Sequence, residues 1–255
     1  MTETRAPRRG RLAGKTAIVT GGGSGFGAGI ASKFAAEGAS VMVADIDAES
    51  AAAVAAEIGG RAQTVDVADG ESMAGLARAA LAAWDRMDIL VNNAGITHRR
   101  GPLEEVDEDA FDRVFAVNCK SVYLAARALV PAMKATGGGA ILNMASTAGI
   151  SPRTGLNWYN ASKGWMITAT KTMAVELAEA GIRVNALAPV AGDTPLLPQF
   201  LGEDTPQMRA KFLATIPLGR FSTPADMGNA AVFLCSDEAS MITGAVLEVD
   251  GGRCI

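Results

Sequence analysis

Residues 15–37 read K15TAIVTGGGSGFGAGIASKFAAE37. The opening K-T-A-I-V, 15–19, is apolar and rich in β-branched residues, the right length for one buried strand. It runs directly into the glycine cluster T20GGGSGFG27 and then into an amphipathic stretch over 28–37. Strand, glycine turn and helix, in that order, are the context a dinucleotide-binding turn requires. Glycine lets the backbone turn tightly and approach a pyrophosphate, whose charge meets amide N–H groups at the helix N-terminus. The turn nominates Gly21, Ser24, Gly25, Phe26 and Gly27 as cofactor-binding residues.

The next apolar run, S-V-M-V-A-D over 40–45, ends in Asp45, about 20 residues past the glycines. A carboxylate there accepts hydrogen bonds from the adenosine ribose hydroxyls and repels a 2′-phosphate. Ser24 and Ile46, where an NADP site wants a cation, are uncharged. The expected cofactor is therefore NAD(H) rather than NADP(H).

The alternation continues to the end of the chain. Strands are expected over 61–66, 88–91, 139–145, 182–187 and 245–249. Helices are expected over 48–58, 70–84, 107–134 (with a kink), 157–180 and 224–234. An irregular stretch and one short helix fill the gap after the sixth strand. Seven strands alternating with helices predict an α/β fold, a Rossmann-like, doubly wound parallel sheet in a single domain over 12–255. Residues 1–11, with Arg5, Arg8, Arg9 and Arg11 and no apolar run behind them, read as a mobile arm rather than a signal peptide.

Bulk properties narrow the function classes. The 255 residues are 49% hydrophobic but only 5% aromatic, so the core relies on aliphatic packing. A net charge of −4 argues against nucleic acid or an acidic membrane as partner, and no apolar run approaches a membrane span. Cys119, Cys235 and Cys254 have no metal-ligand spacing; no metal is expected, and the set suits a reducing cytoplasm.

In doubly wound sheets ligands bind at the carboxyl ends of the strands. Those ends carry Asp66 and Val67, placed for the adenine, then N92NAG95, Ser146 and A188PVAGDT194. Tyr159 and Lys163 open the following helix four residues apart, and so share a face. An ammonium beneath a phenol is the arrangement that lowers a phenol pKa.

These residues resemble the short-chain dehydrogenase/reductase family from about residue 12 to residue 252. T20GGGSGFG27 resembles its T-G-x-x-x-G-x-G loop and N92NAG95 its N-N-A-G turn. Asn118, Ser146, Tyr159 and Lys163 match its Asn-Ser-Tyr-Lys tetrad, and R183VNALAP189 and V249DGG252 also match. One departure is Val190, where the family commonly has glycine after Pro189; Thr194 is kept.

The resemblance implies an NAD-dependent oxidoreductase interconverting a secondary alcohol and its ketone. Tyr159 would be the acid/base. Lys163 would lower the Tyr159 pKa and hold the nicotinamide ribose. Ser146 would steady the substrate oxygen, and Asn118 would hold a water that links Lys163 to solvent. Asn93, Ala94, Gly95, Pro189, Val190 and Thr194 would contact the cofactor. The family's habit also implies a homotetramer, with the 107–134 and 157–180 helices pairing across one axis and Ile255 tucked against a neighbour. Two alternatives stand beside this reading: a 3-oxoacyl-[acyl-carrier-protein] reductase using NADPH, and a non-catalytic NAD-binding regulator.

Substrate cues conflict. The 188–213 segment offers Leu196, Leu197, Phe200, Leu201, Met208 and Phe212 as an apolar lid. Trp158 is placed to stack on a substrate, whereas His98, Arg99, Arg153 and Asn157 suit a polyol, sugar or acid. His98, the single histidine, is expected in a surface loop or at the pocket rim.

Overall fold

β1 (Thr16–Thr20) is buried at every position. Its side chains alternate between two cores, Ala17 and Val19 into one and Ile18 into the other, as a strand covered on both faces must. β2 (Ser40–Asp45) repeats the pattern, with Val41 and Val43 on one side and Met42 and Ala44 on the other. The structure is a computed structural model and describes residues 10–255. The expected arm lies outside the described residues up to position 9. Gly10 and Arg11 belong to the body instead: the Arg11 N–H donates to Glu37 Oε2, and Leu12 is fully buried.

β3 (Arg61–Thr64), β4 (Ile89–Asn92), β5 (Gly139–Met144), β6 (Ile182–Pro189) and β7 (Val246–Val249) complete one sheet. All its pairings are parallel, in the order β3-β2-β1-β4-β5-β6-β7. The seven-stranded, doubly wound Rossmann-like sheet expected from the sequence is present. Strand order reverses between β1 and β4, so a crevice opens at the carboxyl ends of those two strands.

Helices cover both faces. α1 (Gly25–Ala36), α2 (Ala48–Ile58) and α9 (Pro224–Cys235) send Ile30, Phe34, Ala51, Met227 and Ala231 into one core. α3 (Gly70–Trp84), α5 (Ser121–Ala135) and α6 (Asn157–Leu177) send Met73, Leu76, Leu129, Met133 and Ala174 into the other.

The long 107–134 helix divides. α4 (Glu108–Phe115) passes through a π-helical turn, Ala116–Lys120, into α5. β3 ends two residues earlier than expected, because Asp66 turns away and its Oδ1 accepts from the Ala68 N–H. The segment after β6 holds two short helices rather than one, α7 (Leu197–Leu201) and α8 (Pro206–Leu213).

Candidate active site

A cavity of about 680 Å³ runs along the carboxyl edge of the sheet. Its first wall is the glycine turn. Gly21 sits at φ +62°, and a Cβ there would stand 2.8 Å from Ala94 Cα. The turn can lie this close to the N92NAG95 segment only without a side chain. Asn93 fastens the two, its Nδ2 donating to the carbonyls of Thr20 and Gly21 at 2.9 Å. Thr20 Oγ1 accepts from the Asn93 and Ala94 N–H groups at 3.1 and 3.2 Å. Sequence reasoning left Thr20 off the site, although it stands inside the quoted motif.

Asp45, at the end of β2, accepts from the Gly23 N–H through Oδ2 at 2.9 Å and from the Asp47 N–H through Oδ1 at 3.1 Å. Each carboxylate oxygen keeps a further lone pair for a ligand hydroxyl. Ile46 beside it is 70% exposed. Asp66 and the buried Val67 line the same end, as do Ser24, Gly25, Phe26 and Gly27. Pro189, Val190 and Thr194 line the opposite wall, and Val190 is buried with its carbonyl accepting from Ser222 Oγ.

Ser146, Tyr159 and Lys163 meet where β5 ends and α6 begins. Ser146 Oγ accepts from the Ala148 N–H at 3.1 Å, which fixes the hydroxyl at the cavity wall. Lys163 Nζ donates to Met144 O at 2.7 Å and stands 5.8 Å from the centroid of the Tyr159 ring. The phenol is not lowered in this cavity. Burial pushes Tyr159 up to about 12, with the Ser146 hydroxyl bond acting the other way. Burial likewise pushes Lys163 down to about 8, so its own positive charge is costly here. The four-residue spacing brings the pair together as expected, with burial the largest influence on each.

Of the nominated catalytic and cofactor-binding residues, Asn118 alone does not line the cavity; it is fully buried within the π-helical turn. Its Oδ1 accepts from the Ile96 N–H, and its Nδ2 donates to Ile96 O and Ser162 Oγ, each at 2.9 Å. A Cβ on Gly95 would lie 3.4 Å from both Asn118 Oδ1 and Lys163 Nζ, so only the bare glycine separates the two polar groups.

Residues 21–253 match a family model described as enoyl-(acyl carrier protein) reductase. A 4-formylbenzenesulfonate dehydrogenase of Comamonas testosteroni is 49% identical over 247 residues, covering 94% of this chain and 98% of the relative. This chain belongs to the short-chain dehydrogenase/reductase family. Two solved members of that family show the same fold. A 3-ketoacyl-(acyl-carrier-protein) reductase from Brucella melitensis complexed with NADH superposes with a TM-score of 0.91 at 48% identity, covering 96% of this chain and all of its own. A putative NAD(P)-dependent gluconate 5-dehydrogenase from Beutenbergia cavernae with bound NADP gives 0.88 at 41% identity, covering 95% and 97%. As a short-chain dehydrogenase/reductase, the protein is an NAD(P)-dependent oxidoreductase of CH–OH groups.

At the substrate end Leu196, Phe200, Phe212 and Arg153 line the cavity as expected, whereas Leu197, Leu201, Met208, Arg99, Asn157, Trp158 and His98 do not. Trp158 turns outward, packing edge-on against Phe111 at 5.4 Å and donating to Leu103 O, away from the cavity. His98 is buried rather than at a surface or rim, with Nδ1 2.8 Å from Arg99 O. Arg253, in the tail, lines the cavity instead, whereas Ile255 is fully exposed. No local pattern in G251GRCI255 could have signalled that.

Proposed function

We propose that the protein interconverts a secondary alcohol and its ketone using NAD(H). The observation that carries this reading is the convergence of Ser146, Tyr159 and Lys163 on one cavity whose other end is a glycine turn facing Asp45. The crowding of Gly21 against Ala94 leaves a side-chain-free cradle that suits a pyrophosphate. When bound, the nicotinamide supplies or accepts the hydride at the substrate carbon.

The chain's own residues handle the proton and the oxygen. Tyr159, held protonated by burial, gives its proton to the carbonyl oxygen in reduction; in oxidation its own proton must first leave toward Lys163 and solvent, and the phenolate then takes the proton of the alcohol. Ser146 donates to the same oxygen and stabilises the charge that develops on it. Lys163 holds ribose hydroxyls, and its pKa near 8 lets it pass a proton toward Tyr159. Asn118, bound to Ile96 and Ser162, keeps the floor beneath Lys163 rigid and holds a water on the route to solvent.

NAD(H) is favoured because Asp45 is already fixed by the glycine turn and Ile46 gives a 2′-phosphate no cation. Cofactor contacts are assigned to Gly21, Ser24, Gly25, Phe26, Gly27, Asp45, Asp66, Val67, Asn93, Ala94, Gly95, Tyr159, Lys163, Pro189, Val190 and Thr194, all of which line the cavity. A homotetramer is supported by apolar side chains exposed on two faces. Phe115, Tyr123, Trp165 and Val175 lie on α4, α5 and α6, and Met241, Leu247 and Ile255 lie around β7. The three free cysteines suit a reducing cytoplasm.

A 3-oxoacyl thioester reductase is the second reading, favoured by the likeness to the Brucella melitensis protein. The deciding assay follows NADH and NADPH oxidation against aryl ketones, β-keto esters, ketoses, ketoacids and a 3-oxoacyl thioester. Turnover of a simple ketone with NADH supports the first reading. Turnover confined to the thioester with NADPH replaces it with the second.

A further inference from the structure

The cavity is electrostatically divided. Among the described residues its wall carries two carboxylates, Asp45 at the end of β2 and Asp66 just beyond β3. Arg100, Arg153 and Arg253 line the cavity as well, and none of them is in an ion pair among the described residues. Arg153 follows β5, and Arg253 comes from the C-terminal tail. Their guanidinium carbons nevertheless stand 5.3 and 5.8 Å from the centroid of one ring, Phe212 on α8. Two like charges gathered on one aromatic ring without a counter-charge form a site that an anion would complete.

The arrangement is held from the catalytic helix. Asn160, next to Tyr159, is 7% exposed and donates Nδ2 to Arg153 O at 2.7 Å. Its Oδ1 is buried without a hydrogen-bond partner among the described residues, in a residue that lines the cavity. Partial burial pushes the Arg253 guanidinium below its ordinary value, and only the neighbouring Cys254 thiol acts against this. This cation has lost water without gaining a carboxylate. Leu156, Leu196 and Phe200 give the wall apolar surface between uncharged Ser151, Thr154 and Gln199.

We propose that Arg153 and Arg253, set against Phe212, bind a carboxylate or sulfonate at the far end of a small apolar substrate whose carbonyl lies at Tyr159 and Ser146. The proposal rests on the alcohol–ketone reading above. A carboxylate or sulfonate, with two or three oxygens that accept hydrogen bonds, suits paired guanidiniums, which offer several fixed N–H donors. The uncharged stretch of wall between the two ends would reject a substrate charged along its length.

The test is calorimetric titration of Tyr159→Phe protein, with and without NADH, using para-acetylbenzoate, para-acetylbenzenesulfonate and the uncharged para-acetylbenzamide. Both anions should bind at least about tenfold more tightly than the amide. Arg153→Gln and Arg253→Gln should each reduce that preference several-fold, and the double variant should abolish it, with NADH affinity retained. Equal binding of anion and amide overturns the proposal, as does a preference that survives in the double variant. Loss of NADH binding in the arginine variants overturns it by assigning the guanidiniums to the cofactor. Arginine-dependent capture of acyl carrier protein, with no preference for the small anions, overturns it in favour of a docking face. If NADH itself does not bind, the NAD(H) reading falls, and the cofactor-free titration still decides the anion subsite.

Discussion

The ring of Phe200, on α7, lies 5.3 Å from the ring of Tyr159, centroid to centroid and tilted by 58°. The segment after β6 thus covers the phenol directly, and Tyr159 is only 6% exposed. The covering excludes water, and the loss of water is what pushes the phenol up.

Removing that cover should lower the phenol pKa. With only two tyrosines in the chain, a Tyr123→Phe background leaves Tyr159 as the single phenol seen in an ultraviolet pH titration. Phe200→Ala in that background should bring its midpoint from about 12 toward 10. An unchanged midpoint would mean that the sheet and α6, rather than α7, exclude the water.

Tyr159→Phe should reduce turnover by about a thousandfold or more, since it removes a positioned proton donor. NADH affinity, measured by fluorescence, should stay close to that of the unmodified protein. Substantial residual turnover would remove Tyr159 from the acid/base role.

Asp45→Ser should shift cofactor choice. The carboxylate now bonds the Gly23 and Asp47 N–H groups and faces the cavity. Its loss should weaken NADH by about tenfold and narrow the NADH-to-NADPH ratio of kcat/KM, because the repulsion of a 2′-phosphate goes with it. A ratio unmoved by the substitution would place Asp45 away from the ribose.

The buried Lys163 gives stability a pH dependence of definite sign. Its pKa falls from 10.5 unfolded to about 8 folded. Between those values the unfolded chain holds one more proton than the native one, so stability from this group rises with pH across that window. Tyr159 acts oppositely, losing stability from pH 10 to 12 as the unfolded phenol ionises first. Urea unfolding of the unmodified protein, compared with Lys163→Met, should show a difference that grows in favour of the native lysine from pH 8 to 10. A flat difference would show that the ammonium is solvated.

The sequence by itself determined the sheet, its two-sided burial, the glycine turn and the strand-end residues. These features are written in neighbouring positions: the unbroken apolar, β-branched run in T16AIVT20, glycines where the backbone must crowd, and four-residue spacing between Tyr159 and Lys163. Short-range geometry is fixed by covalent structure and helix pitch, so it can be read without the fold. Tertiary structure alone decided that Arg253 meets Arg153 on Phe212, that Trp158 faces away, that Phe200 closes on Tyr159, and that the phenol is raised rather than lowered. Each of those outcomes depends on which distant segments exclude water from one another. Desolvation is a property of the packed whole and leaves no local mark in the chain.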